Sequence, residues 1–238
     1  MSGFTYNEIH SSTYGIELYN EGSGVIENLL PSVRYQKEEW AGRDGEILFG
    51  VNYGSREIVL NCAINQPITD NLRFQISKWL GEKIPKKLIF DEYPDKYINV
   101  FYNGAIDLEK YVLGGLFQVT MLATDPFFYN VNKTSISFIN QTSIQLINNG
   151  NQITYPIFTI TPSQDVIITN QNTAESFTIT GITTGTIIVD TFLKTVTYNG
   201  GNGLSYFSGD FFGLGIGTTN IAINGNCELQ IDYREKWI

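Results

Sequence analysis

Histidine occurs once in the 238 residues, at His10, so any Ser–His–acid site would have to be built on it. It stands in the Ser-rich stretch "EIHSSTYG" without an accompanying motif, and reads as a surface or strand-edge residue. The densest carboxylates are Asp91, Glu92 and Asp95 in "FDEYPDKY". Glycoside hydrolysis needs two carboxyls across a cleft, one held in a pocket that raises its pKa. Three acids within one short turn are all wetted, and their spacing is not that of an EF-hand loop. The Gly-rich runs "NGGNG" (199–203) and "GLGIG" (213–217) carry no Lys and precede no helical pattern. A phosphate cradle lies between a strand and a helix, so both read as tight turns between strands. Cys62 and Cys227 stand in different halves, which excludes a local zinc or redox motif. Both alternate with apolar neighbours, as buried free thiols do. These residues point away from catalysis, and no metal or cofactor is expected.

The charge balance narrows the partners. A net charge of −9 and a pI near 4.6 disfavour a nucleic-acid binder, which needs a basic stripe to neutralise phosphates. The densest basic cluster, Lys83, Lys86 and Lys87, sits beside Glu82, Asp91 and Glu92 and reads as a solvated face. No apolar stretch approaches the ~20 residues of a membrane span. The opening residues have neither a basic start nor an apolar run, so no signal peptide is expected and synthesis in a cytosol follows.

The elements that would position any site are mostly strands, because Thr, Ile, Val, Tyr and Phe dominate. The first segment, 1–66, reads as strands and turns, with a Gly-rich "EGSG" at 21–24 and a turn cluster "AGRDG" leading into an apolar run. In "SREIVLNCAI" the residues Ile58, Leu60, Cys62 and Ile64 face one way and Glu57, Val59, Asn61 and Ala63 the other. "PITDNLRFQISKWLGEKIP" is the one helix: Leu72, Ile76, Trp79 and Leu80 form its apolar stripe. Thr69 or Asp70 caps its start, and Gly81 ends it in a left-handed conformation. Phe74 lies off the stripe and is available to a second surface. Beyond Pro85 a hairpin turns at "DEYPD", and "AIDLEKYVLGGLFQVTMLATD" makes two strands broken at Gly114-Gly115. Pro126 lacks the donor of a central strand, so the ladder ends at "DPFFY", with Phe127, Phe128 and Tyr129 as a structural clasp. Residues 131–238 are short β-branched runs punctuated by Asn-Gly and Thr-Gly, the pattern of an antiparallel sandwich. Acidic and basic side chains number 28 before residue 131 and 11 from there on, which places a domain boundary near 130. If that second domain binds sugar, Tyr155, Tyr198 and Tyr206 are its stacking platforms.

Taken in order, "GRDGEILFG", "YGSREIVLNCAI", the helix, "LIFDEYPDKYINVFYNGAIDLE", "GLFQVTMLATDPFFY" and the closing "SGDFFGLGIGTTNIAI" are informative together. The chain resembles the distal tail protein family of long-tailed phages infecting Gram-positive bacteria, and the likeness spans essentially its whole length. It departs from the family pattern at "GIGTTN" (215–220), where members commonly have a Pro-Gly-like turn. The resemblance implies a mainly β protein with an N-terminal α+β belt domain at 1–130. That domain is sandwich- or barrel-like, with one helix and one β-hairpin. A C-terminal galectin-like or carbohydrate-module-like β-sandwich follows at 131–238. It further implies a virion structural protein, not an enzyme, forming a homohexameric ring, stacked or single, at the distal end of the tail. Its partners would be its own copies, the tail tube protein, and the tail-associated hub, tail-fibre or receptor-binding proteins. It would contact no membrane and bind no specific nucleic acid, the DNA passing through a central channel. The strands around 55–64 and 97–123, with few edge-protecting prolines, are the expected open edges for pairing with another copy. Trp79 and Phe74 on the helix, with Tyr93 and Pro94 in the hairpin, are the expected assembly surface.

Overall fold

The structure is a computed structural model and describes residues 3–19, 25–27, 29–111 and 113–238; the "EGSG" turn expected at 21–24 lies outside them. The chain divides into two compact units, residues 1–131 with Ile238, and residues 132–237.

The front unit begins with β1 (Phe4–Tyr6), β2 (Ile9–His10), β3 (Ile16–Leu18) and β4 (Val25–Glu27). A separate pair follows, β5 (Val33–Glu39) and β6 (Glu46–Tyr53), and then β7 (Arg56–Ile64), α1 (Asp70–Leu80), β8 (Lys86–Phe90) and β9 (Lys96–Tyr102). β10 (Leu108–Tyr111), β11 (Gly114–Ala123) and β12 (Phe128–Asn130) complete it. Its main sheet runs β2-β1-β8-β9-β11-β7-β3, with β4 beside β7, β10 beside β11 and β12 beside β9. Strict alternation explains β7: Ile58, Leu60, Cys62 and Ile64 are all buried on one face, opposite Met121, Val119, Phe117 and Gly115 of β11. The two glycines expected to break this region instead open β11. A side chain at Gly114 would collide with the carbonyl oxygen of Ile64, so only glycine lets the two backbones approach.

The helix forms where its apolar spacing puts it. Ile76, Trp79 and Leu80 are buried, Leu72 is half-buried, and Thr69 is the N-cap, its hydroxyl oxygen accepting from the Leu72 N–H at 3.1 Å. Gly81 departs from the expectation: it has φ −77° and ψ 19° and donates its N–H to Ser77 O. The helix thus closes on a right-handed turn, and its glycine answers to crowding, since a Cβ there would meet the Ser77 carbonyl oxygen at 2.6 Å. Replacing Thr69 with Ala removes the cap and is expected to lower stability by about 1 kcal/mol, read as a reduced urea midpoint at unchanged slope.

The second unit is a sandwich. Its strands are β13 (Thr134–Ile139), β14 (Ser143–Asn148), β15 (Ile157–Pro162), β16 (Val166–Asn170), β17 (Ser176–Ile179), β18 (Ile187–Asp190), β19 (Thr195–Tyr198), β20 (Gly201–Asn202), β21 (Phe207–Gly209), β22 (Gly217–Asn224) and β23 (Cys227–Tyr233). They form two antiparallel sheets, β13-β23-β15-β18-β19-β20 and β14-β22-β16-β17-β21. Inward residues of both sheets make one core, centred on Phe158, Phe177 and Phe212, whose ring centroids lie 5.3–5.7 Å apart. Packing inner faces in this way is what the short alternating strands dictate. The protein is mainly β throughout, with α1 the α-helix of the described residues.

Candidate assembly surface

β5 and β6 pair with each other alone among the described strands. The register sets Val33 opposite Tyr53, Tyr35 opposite Val51 and Lys37 opposite Leu48, with an irregularity between Gln36 and Lys37 that leaves Phe49 as the extra residue. One face of the ribbon therefore carries Val33, Tyr35, Leu48, Val51 and Tyr53, with Lys37, Glu39 and Glu46 toward the turn, and the other Arg34, Gln36, Glu38, Ile47, Gly50 and Asn52. The apolar face is not covered: Tyr35 is 61% exposed, Leu48 58%, Phe49 62% and Val51 51%. At the turn Trp40 is 56% exposed. The root is fixed, since Gly54 N–H donates to Ser32 O at 2.6 Å and the Ser32 hydroxyl to Ser55 O at 3.0 Å. An isolated two-stranded ribbon is marginal in water, and one with a contiguous exposed apolar face marks an interaction surface.

Of the strands expected as open edges, β7 and β9 are flanked on both sides, while β10, within 97–123, pairs with β11 alone among the described strands. β7 is flanked by β11 on one side and by β3 and β4 on the other, and β9 lies between β8 and β11. Their alternation reflects a sheet paired within the chain.

The four residues expected on the assembly surface differ in exposure. Trp79 is only 4% exposed; it packs among Phe4, Tyr6 and Tyr14, and its Nε1–H donates to Tyr6 O at 2.8 Å. It is a core residue of its own unit, which corrects the surface reading. Phe74 is 62% exposed, with the Arg73 guanidinium 5.1 Å from its ring centroid. Tyr93 is half-buried between Phe90 and Phe128, and Pro94 is exposed beside it. The turn at Asp91–Asp95 joins β8 to β9 in register. In the "DPFFY" stretch, Phe128 is buried beneath Arg56, 5.3 Å from its centroid, and the Tyr129 hydroxyl donates to Asp125 Oδ2 at 2.6 Å. Burial first, and then that carboxylate, push the Tyr129 hydroxyl far above the usual phenol range.

The lone histidine has acquired partners. His10 Nδ1 lies 2.7 Å from Ser12 Oγ, and Nε2 lies 3.0 Å from Asp91 Oδ1. The trio has the membership of a catalytic set, but Nδ1 also accepts the Ser12 backbone N–H at 3.2 Å, and His10 caps the 3₁₀ turn Ser11–Tyr14. Asp91 in turn accepts from Gly3 N–H at 2.8 Å. These bonds fasten edge strand β2 and the chain start to the β8–β9 turn. Cys62 and Cys227 are buried free thiols, and burial pushes the Cys62 thiol up to about 12. Because the thiolate is the reactive species, Cys62 in the native chain is expected to stay unmodified by a thiol reagent at pH 8 and to react on unfolding. Between the ordinary thiol pKa and about 12 the unfolded chain ionises at this site and the native one does not. Stability thus falls as pH rises through that window.

In the second unit Tyr198 and Tyr206 meet edge to face at 5.1 Å, packed against the core, and the Tyr198 hydroxyl donates to Thr184 O. Tyr155 stands apart from that pair, 40% exposed and 5.9 Å from Phe192.

The front unit is thus a sheet with an exposed two-stranded arm, and an antiparallel sandwich follows it in the chain. Residues 9–123 match the model of the phage tail protein RIFT-related domain, and residues 149–237 match that of the siphovirus-type tail component C-terminal domain. The chain belongs to the siphovirus-type distal tail family, whose members are structural components of phage tails and baseplates. Among curated proteins none matches it. The crystal structure of the SPP1 Dit (gp 19.1) protein, described as a paradigm of the hub adsorption apparatus in phages infecting Gram-positive hosts, overlays with a TM-score of 0.78 at 15% identity, covering 100% of both chains. That likeness establishes the shared fold. Two structures of the phage p2 baseplate in its activated conformation, with Ca and with Sr, overlay at TM-scores of 0.44 and 0.47, at 8% identity over 99% of this chain and 98% of the other, too loosely to bear on it.

Proposed function

We propose that this chain closes into a ring of six copies at the distal end of a siphovirus tail, joining the tail tube to the hub and receptor-binding apparatus around a channel for DNA. The exposed arm of β5 and β6 carries this reading. A free monomer would leave Tyr35, Leu48, Phe49 and Val51 in water, and the hydrophobic effect favours covering them. An arm on one copy that binds an unlike surface on the next makes a heterologous contact, which closes a ring when its rotation divides a full turn. Its role is structural, with the front unit forming the ring. The test is the native mass of the purified chain at micromolar concentration, with localisation of the chain in micrographs of tails. A species of about six times 26.8 kDa and a sixfold collar at the tube's tip are expected; a lone monomer, or the chain placed elsewhere on the virion, would overturn the reading.

A second reading, contact of the sandwich with host-wall sugar, is favoured by the exposed rings of Tyr155 and Phe192, since aromatic faces serve as stacking surfaces for apolar sugar faces. Retention on purified cell walls, lost in Tyr155→Ala, supports it; no retention removes it.

A further inference from the structure

Five Asn-Gly pairs stand in the chain, beginning at Asn103, Asn149, Asn199, Asn202 and Asn224. They punctuate turns, and each is also a place where the backbone can attack its own side chain. Glycine has no Cβ to block the approach of its nitrogen to the preceding carboxamide.

Four of the pairs are held away from that reaction. Asn149 Nδ2–H donates to Glu235 Oε1 at 2.5 Å, and the following Gly150 N–H donates to Asn148 Oδ1 at 3.0 Å. Asn202 Oδ1 accepts from the Leu204 N–H at 3.0 Å, while the Gly203 N–H donates to Val196 O at 3.0 Å. Asn199 Oδ1 accepts from the Thr186 N–H at 3.0 Å. Asn199 and Gly200, with φ of 48° and 81°, make the tight turn that pairs β19 with β20. Asn224 closes β22 and is paired with Ile167, and a Cβ on Gly225 would collide with Asp165 O.

Asn103 lacks each of these restraints. It follows β9 in a segment, residues 103–107, that is neither strand nor helix, and both it and Gly104 are exposed. Asn103 Nδ2 reaches Glu57 Oε1 only at 3.4 Å, beyond the usual range of an N–H···O bond. Gly104 has φ 90°, and nothing lies within 4 Å of where its Cβ would stand. Its N–H donates to no other residue among those described. We infer that Asn103 is the site at which the native chain deamidates.

The Gly104 amide gives its proton to hydroxide, and its nitrogen attacks Asn103 Cγ. The N–Cγ bond forms, the Cγ–Nδ2 bond breaks, and Nδ2 takes a proton from water and leaves as ammonia. Water then opens the succinimide at either carbonyl, giving aspartate or isoaspartate at this position. Both products set a second carboxylate beside Glu57, where an amide N–H had faced it, and like charges repel there. The isoaspartyl form also lengthens the backbone by one methylene directly before Gly104, Ala105 and Ile106, which line a cavity of about 570 Å³ with Ile76 and Leu80 of α1.

The test holds the full chain at pH 8, one sample native and one in urea, and maps both by proteolysis and mass spectrometry over time. Trypsin releases Asn103 within residues 97–110, where Asn99 is the other asparagine, and fragment ions separate the two. In the native sample Asn103 is expected to convert at least about tenfold faster than any of the other four, each of which must first break a restraining contact. In urea the five rates converge. Asn103→Gln is expected to lose the product at this position and leave the other four unchanged. Native conversion led by another pair, equal conversion at all five, or an Asn103 that stays intact in either sample overturns the assignment. None of these outcomes depends on the ring reading.

Discussion

A chain in which residues 33–53 are replaced by Asn-Gly stays folded and runs as a monomer of about one chain mass at concentrations where the intact protein assembles. Asn-Gly is chosen because it forms a two-residue turn without strain, and Ser32 and Gly54, which it joins, are already hydrogen-bonded to each other at the arm's root. The folded part should barely register the loss. Among the described strands β5 and β6 pair only with each other, and nearly every residue of β5 and β6 is exposed, so apart from the edge-to-face contact of Tyr53 with Phe127 their removal takes little from the core of the unit. The effect on assembly is large because the arm's apolar side chains are clustered on one ribbon. Each large apolar side chain that becomes fully buried contributes roughly 1.5–3 kcal/mol, and Val33, Tyr35, Leu48 and Val51 stand exposed along one face. Even after the cost of ordering the arm, loss of such a cluster moves an association constant by several powers of ten. The measurement is native mass across a concentration series, paired with circular dichroism. Persistence of the full assembly in the shortened chain would rule out the arm as the ring-forming element. The point variant Tyr35→Glu asks the same question without deleting backbone, and should weaken assembly in the same direction.

The strands and helix that bury one face against their own chain were legible in the sequence; the arm was not, and the reason is physical. In β7 the alternation of Ile58, Leu60, Cys62 and Ile64 signals one buried face, and the helical spacing of Ile76, Trp79 and Leu80 does the same for α1. Such periodicity states that a face is covered without saying by what. Trp79 belongs to that covered set, so its spacing alone could not separate a core anchor from an assembly anchor; its neighbours Phe4, Tyr6 and Tyr14 come from the far start of the chain. The arm has the converse difficulty. Its run "EILFGVNY" reads as a core strand by composition, and the extra residue at Phe49 breaks the two-residue period just where it would have revealed a face. A usable signal was present: the Gly42 and Gly45 pair around Arg43-Asp44, flanked by two runs able to pair, is hairpin punctuation, and both glycines adopt positive φ. Open edges were expected around 55–64 and 97–123, and of these strands β7 and β9 are flanked on both sides; edge status depends on which strands lie alongside, information that no local window contains. The sandwich was the most legible part, since each strand there reports the same single core. Of the residues chosen for chemistry, His10 and the Asp91 turn were read correctly as surface features; that they fasten to each other across 81 positions is a tertiary fact.

Truncating Trp79 to alanine is expected to destabilise the front unit by about 3–5 kcal/mol, the range for removing a large buried aromatic. The indole is only 4% exposed, stacks on Phe4 at 5.7 Å, meets Tyr14 at 5.0 Å and Tyr6 at 6.1 Å, and satisfies the Tyr6 carbonyl. Alanine leaves both a cavity and a buried carbonyl without its donor, and the second loss adds about 1 kcal/mol or more. Because these contacts join α1 to β1 and to the 3₁₀ turn before β3, the damage should be concentrated there. Amide exchange in Phe4–Tyr6 and along Asp70–Leu80 should accelerate more than in the β7–β11 ladder. Trp79→Phe keeps an aromatic ring and loses the N–H, so its cost should be smaller, in the range of about 1–2 kcal/mol. Phe74 provides the contrast on the same helix: at 62% exposure, its replacement by alanine should change stability by no more than about 0.5 kcal/mol. The four quantities to compare are the urea midpoints and the native masses of Trp79→Ala and Phe74→Ala. A core role for Trp79 requires a lowered midpoint. A midpoint equal to the parent's, with assembly lost, would instead return Trp79 to the interface and overturn the packing described for it.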